Sequence, residues 1–293
     1  MKTKDICLAL FVPLAWGGGF TVAKPAVDHF PPIFMLAVVY CVVFLVLSLF
    51  SRGPTSTPTR NIILISLFSA TLQSAFTFTG LVDLPASVAV LVAQTQVPFA
   101  VLFAWIVGAE ALNINKVTGI AISLGGLVIV VGLPNHPVAI APVILILLGA
   151  ATWGVGQAVI RQFSQDSGAR LLKMVALHAV PQLLIISAIL EEGQIDSLLQ
   201  AKTAEWAALL FVSLIGYSVA YAIWFSLLGR NRVDSVTPFV LLMPVAGVVS
   251  SAILLQEAVE ASTFVGGGVL LLGVGYVVLS DRMSKRVTQE LNK

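Results

Sequence analysis

Ten mostly apolar stretches partition this chain, each about 17 to 24 residues and so able to cross a hydrocarbon layer of ~30 Å as a helix. They fall at 6–23, 32–50, 61–81, 86–107, 116–132, 141–160, 172–190, 205–228, 235–255 and 263–280. The breaks carry turn formers, among them Pro31-Pro32, Gly53-Pro54, Pro85, Asn113 and Pro134. All are short, so consecutive helices are expected to run antiparallel. With the first end in the cytoplasm, 14 of the 16 Lys and Arg fall on the cytoplasmic side, and only Lys24 and Lys202 fall opposite. That bias follows the positive-inside rule and places both termini in the cytoplasm. It also checks the count, because one helix too few would scramble the alternation downstream.

The expected fold is therefore an all-α, multi-pass protein of the cell inner membrane. Its composition agrees: 58% of residues are hydrophobic, 10% are charged and mean hydropathy is +1.00. The Met1 to Asp5 segment runs into apolar sequence with no small-residue cleavage site, so it reads as a retained first span. The net charge of +2 comes from basic residues scattered at helix ends, which argues against a nucleic-acid partner. Cys7 and Cys41 both sit in apolar runs, so no disulfide or metal site is indicated and no cofactor is expected.

The chain repeats itself. Span one holds Trp16-Gly17 with Gly19 and, eight residues after the Trp, Lys24; span six holds Trp153-Gly154 with Gly156 and, at the same distance, Arg161. Span four has Pro98 and then Glu110; span nine has Pro244 and then Glu257. The offsets between copies are 137 at the Trp and 146 at the Pro, which divides the chain into 1–137 and 138–293. Five helices per copy is an odd number, so the second copy sits upside down relative to the first. Such inverted repeats have two near-equivalent closures, one at each membrane face, with substrate near the midplane. A duplication that merely enlarged the bundle is the bland alternative.

The Trp16 to Lys24 segment, Leu84-Pro85-Ala86 to Pro98, Glu110 to Gly119 and their second-half counterparts resemble the EamA family of the drug/metabolite transporter superfamily. The resemblance spans nearly the whole chain and implies ten helices in two five-helix copies. It further implies export of small metabolites, and the chain is most similar to exporters of aromatic and neutral amino acids.

Several residues could carry transport. Between the helix ends there is no Asp, Glu, Lys or Arg, so the cargo is expected to be neutral or zwitterionic, met by dipoles and aromatic faces. Trp16 and Trp153, related by the repeat and flanked by glycine, either meet at the pseudo-two-fold axis or allow close helix packing. Gln157 shares a helix face with Trp153. Tyr217, Tyr221 and Trp224 form a stripe on span eight, either as core or as a cavity wall, and an interfacial belt accounts only for Trp224. Gln94 either satisfies a carbonyl freed by Pro98 or faces a cavity, and Gln96, two residues on, cannot share its face. Pro98 and Pro244 are expected helix breaks. His178, with Gln182 four residues on, is either structural or a proton-sensitive gate. Lys24 with Glu257, and Arg161 with Glu110, are each expected on one face but in opposite halves, as gating pairs or solvated anchors.

The expected activity is secondary transport by alternating access, exporting neutral or aromatic amino acids as a monomer or homodimer in the bilayer. Export of lipophilic drugs or other metabolites, and a passive channel, are the alternatives. An intramembrane enzyme is not expected, because no Ser with His, paired Asp or His-Glu-x-x-His lies within the spans.

Overall fold

Length, hydropathy and proline placement account for most of the architecture. The computed structural model describes residues 2–51, 53–106, 112–132, 139–166, 168–231 and 236–291. Among them, nine helices are long and apolar enough to cross a membrane: spans one (Thr3–Val27), two (Pro32–Phe50), three (Thr59–Val82), four (Ala86–Ile106), five (Ile114–Gly132), six (Ile140–Phe163), seven (Gly168–Leu190), eight (Thr203–Leu227) and ten (Ala261–Val278). Span nine differs from the expected 235–255 helix. It is a 3₁₀ turn, Thr237–Leu242, followed by an α-helix, Met243–Leu254. Pro244 has no N–H for the Val240 carbonyl, and the Met243 N–H takes that carbonyl instead, which tightens the winding.

Span four breaks by the same device. Pro98 leaves the Gln94 carbonyl without its helical donor, and the Val97 N–H takes it at 3.1 Å. The helix stops at Ala93 and restarts at Gln96. Both halves thus carry a broken helix in which the residue before a proline rescues the carbonyl the proline orphans.

Spans three and eight each contain a π-helical stretch, Leu67–Leu72 and Val212–Val219, whose starts are 145 residues apart. A π turn widens the helix and leaves carbonyls without their usual donors. In span eight the Ser218 hydroxyl donates to the Ser213 carbonyl at 2.9 Å. In span three the Ile63 carbonyl keeps its Leu67 N–H donor, and the Gln182 amide, from span seven, adds a second at 3.2 Å.

Spans five and ten pack through glycine. A Cβ on Gly126 would lie 2.6 Å from the Gly266 carbonyl oxygen, so only hydrogen permits that separation. Charged residues cluster at the two ends of the bundle, here the near end, where span one starts, and the far end, where it stops. At the near end Asp166 accepts from the Ser56 and Thr57 N–H groups, and Arg230 and Asn231 reach Asp5 at 3.4 and 3.2 Å. A cleft there is lined by Lys2, Lys4, Asp5, Arg230 and Asn231.

Candidate functional site

The glycine after each Trp brings the two broken helices into the bundle centre. A Cβ on Gly17 would collide with the Met243 carbonyl oxygen, so span one lies against the break in span nine. A Cβ on Gly154 would lie 3.0 Å from both the Ala100 nitrogen and the Phe99 carbonyl carbon, so span six lies against span four just past its break. The pairing of spans one with nine and six with four is the same contact made twice, each time between one helix of residues 1–137 and one of residues 138–293.

Around the first of these contacts an aromatic cluster forms. The Trp16 indole donates to the Gly216 carbonyl at 2.9 Å, inside the π stretch of span eight. Its ring lies 4.9 Å from Tyr221 and 5.7 Å from Trp224. Tyr221 stacks on Tyr217 at 6.0 Å, and Tyr217 meets Tyr40 of span two edge-on at 5.2 Å. Trp224, in the helix that follows the π stretch, thus lies beside Trp16 with Tyr221.

One hydroxyl organises the polar side of the cluster. Ser74, fully buried, lies 2.9 Å from the Tyr40 hydroxyl, 3.3 Å from the Tyr217 hydroxyl and 3.1 Å from Gln73 Oε1. Gln73 Oε1 can only accept, so Ser74 must donate its single hydrogen there and both tyrosines must donate to Ser74. Those hydroxyls are thus committed to structure. Tyr221 and Trp224, in contrast, have no hydrogen-bond partner among the described residues. No ionisable carboxylate or ammonium takes part in the cluster, which suits a ligand held by ring faces and neutral dipoles.

The remaining expected residues divide between this cluster and other roles. Trp153 is half-buried but is not a ring neighbour of Trp16, so the two tryptophans do not meet at the pseudo-axis in this structure. Gln157, four residues on, is also half-buried, and neither residue has a hydrogen bond among the described residues. Gln94 is buried at the break and donates to the Val90 carbonyl at 3.5 Å. His178 donates from Nδ1 to the Met174 carbonyl at 2.8 Å, within its own helix. Its neighbour Gln182 accepts from Thr71 at 2.6 Å and joins span seven to the π stretch of span three.

The expected Lys24–Glu257 pair is absent. The Lys24 ammonium donates to the Leu81 and Val82 carbonyls at 3.0 and 2.8 Å, and to Asp28 at 3.3 Å. Glu257 instead accepts from the Ala86 and Ser87 N–H groups and the Ser87 hydroxyl, at 2.7, 3.1 and 2.7 Å. A carboxylate on a helix N-terminus satisfies orphan donors and meets the positive end of the dipole, which a distant ammonium does not offer. Glu191 repeats the arrangement on span two, accepting from Ile33 and Phe34 at 2.8 and 2.9 Å. Arg161 is exposed at the end of span six, and Glu110 lies outside the described residues.

Sequence reasoning missed Tyr40 and the far-end clamp of Glu191. Tyr40 had one visible signal, as the only tyrosine in the aliphatic run of span two.

Comparisons with known proteins agree with this architecture. The EamA-like transporter family matches residues 3–132 and again residues 140–279. A protein of Salmonella typhimurium named a probable amino-acid metabolite efflux pump is 28% identical, covering 97% of this chain and 98% of its own. A protein of the same name from Escherichia coli is also 28% identical, over 98% and 99%. One solved structure, 17% identical, superposes with a TM-score of 0.66 over 97% of this chain and 99% of that one, which supports the fold alone. With a duplicated helical bundle, a break in each half and a family match across both, the chain belongs to the EamA-like transporters, multi-pass proteins of the membrane that move small molecules.

Proposed function

We propose that this transporter exports neutral and aromatic amino acids from the cytoplasm by alternating access, with the cargo's side chain on the wall of Trp16, Tyr217, Tyr221 and Trp224. The observation that carries this reading is the uncharged aromatic cluster beside a broken helix, with the Tyr221 hydroxyl and Trp224 indole unpartnered among the described residues. The Salmonella and Escherichia relatives named for amino-acid metabolite efflux point the same way. Gln94, Trp153 and Gln157 supply the opposite wall from spans four and six, and His178 braces the helix behind it. Residues 1–137 and 138–293 act as the two inverted copies, both termini face the cytoplasm, and the far end is the outer face.

Alternation works by exchange between halves. The π stretches start 145 residues apart, so Gly216 corresponds to Thr71, as Trp16 does to Trp153. Here Trp16 is locked to Gly216, while Trp153 makes no hydrogen bond. In the opposite-facing state Trp153 donates to the Thr71 carbonyl and Trp16 lets go. Glu257 and Glu191, clamped on first-half helix N-termini from the second half, hold the far end shut and release when it opens.

The test is flux into proteoliposomes containing only this protein. Saturable counterflow of L-phenylalanine, L-tryptophan or L-leucine is expected. Transport of lipophilic dyes with no amino-acid flux would favour drug export on the same aromatic wall, and unsaturated conductance would indicate a channel.

A further inference from the structure

Among the described residues one buried side-chain polar atom has no hydrogen-bond partner, Oε2 of Glu205. We propose that Glu205 is a subsite for a primary ammonium group, at the far end of span eight, the helix that carries Tyr217, Tyr221 and Trp224. It deepens the export reading, which names the cargo, but the subsite itself is read by binding.

Placement is the first argument. Glu205 lies in the first turn of Thr203–Phe211, on the same face as Ala208, Leu209 and Val212, all buried. That face continues through the π stretch to Tyr217 and Tyr221, about 18 Å farther along the helix. Trp16 meets Trp224 while Phe30, just past span one, meets Trp206, so spans one and eight run antiparallel. Eleven residues outward from the bonded Trp16 and Gly216 are Val27 and Glu205, so the carboxylate stands level with the end of span one. The Phe30–Trp206 ring pair, at 5.6 Å, lies at the same level.

Chemistry is the second. Glu191 and Glu257 are occupied by helix N–H groups, and Asp28 by Lys24. Lys24 is turned to span three carbonyls, and Lys202, three residues before Glu205, is exposed. Glu205, in the first turn of its helix, accepts no hydrogen bond among the described residues. Glu205 is half-buried, and a buried carboxylate oxygen without a donor is costly, a cost that a donor from outside the protein would relieve. An ammonium group supplies charge and hydrogen bonds together, and the neighbouring aromatic pair favours a cation further.

Binding of phenylethylammonium to the purified full chain, by equilibrium dialysis, tests the subsite without transport. Glu205→Gln is expected to weaken it about tenfold, and Glu205→Asp by less, as removal of one charge-assisted contact predicts. In proteoliposomes Glu205→Gln should raise the KM for L-phenylalanine presented at the far end and leave that for neutral 3-phenylpropanamide unchanged. Equal phenylethylammonium binding by wild type and Glu205→Gln, no binding by wild type, or the same loss for the uncharged amide would overturn the proposal. Absence of L-phenylalanine flux in wild type, with the binding difference intact, would remove the export reading and leave the subsite standing.

Discussion

The two π stretches are the same device set to different purposes. In span eight, Val212–Val219 faces rings: Trp16 takes the Gly216 carbonyl and Tyr40 meets Tyr217. In span three, Leu67–Leu72 faces an amide: Gln182 of span seven accepts from Thr71 and also lies 3.4 Å from the Ser66 hydroxyl. The backbone symmetry is kept while the side chains break it. One half therefore surrounds its π stretch with rings, and the other braces its own with an amide.

The largest expected effect comes from destroying what the halves share. Gly17→Leu forces a side chain into the Met243 backbone and Gly154→Leu forces one against Phe99 and Ala100. Each should abolish counterflow and cost about 1–3 kcal/mol in detergent stability as overpacking, read by thermal melts of the purified protein. If only one of the two does so, the contacts are not equivalent.

Next is the polar centre of the aromatic half. Ser74→Ala leaves the Tyr40 and Tyr217 hydroxyls without their acceptor and should cost about 1–3 kcal/mol. Adding Tyr40→Phe and Tyr217→Phe removes the stranded groups and should restore most of the melting temperature. Failure of that rescue would show that Ser74 does not organise the cluster.

Glu257→Gln keeps the shape of the clamp on Ala86 and Ser87 but removes its charge. It should weaken the far-end closure by about 1 kcal/mol, seen as faster labelling of a cysteine placed at Ser87.

The smallest effect concerns the near end. Burial raises the Asp166 carboxyl, but hydrogen bonds from Thr57 and Ser56, with Arg170 at 3.6 Å, outweigh it and hold the group below the ordinary carboxylate range. Stability from this contact is fully present above the ordinary carboxylate value and is lost as pH falls through the depressed one. Amide exchange at residues 56 and 57 should accelerate only below about pH 4, and a change near neutrality would contradict the assignment.

How much of this was legible follows from what each feature depends on. The spans were readable because an apolar run of this length has one outcome in a bilayer, and polar ends merely lengthened it, as from 6–23 to Thr3–Val27. The breaks near Pro98 and Pro244 were readable because proline removes a donor at a known position. The π stretches were not, because no residue pattern marks them. The partners of Glu257 were hidden for a related reason, since backbone N–H groups at a helix start are the same in every sequence. Trp16, Tyr217 and Tyr221 were placed together only once span one was docked through Gly17.

The exchange between halves is most directly tested by cysteine accessibility from each face in proteoliposomes, with Cys7 and Cys41 replaced by serine and reporters at Ser56 and Ser87. Trp16→Phe removes the bond to Gly216, and Trp153→Phe removes the one proposed for the opposite-facing state. The account predicts that the two variants shift labelling of the near-end and far-end reporters in opposite directions. Shifts in the same direction, or none, would contradict it.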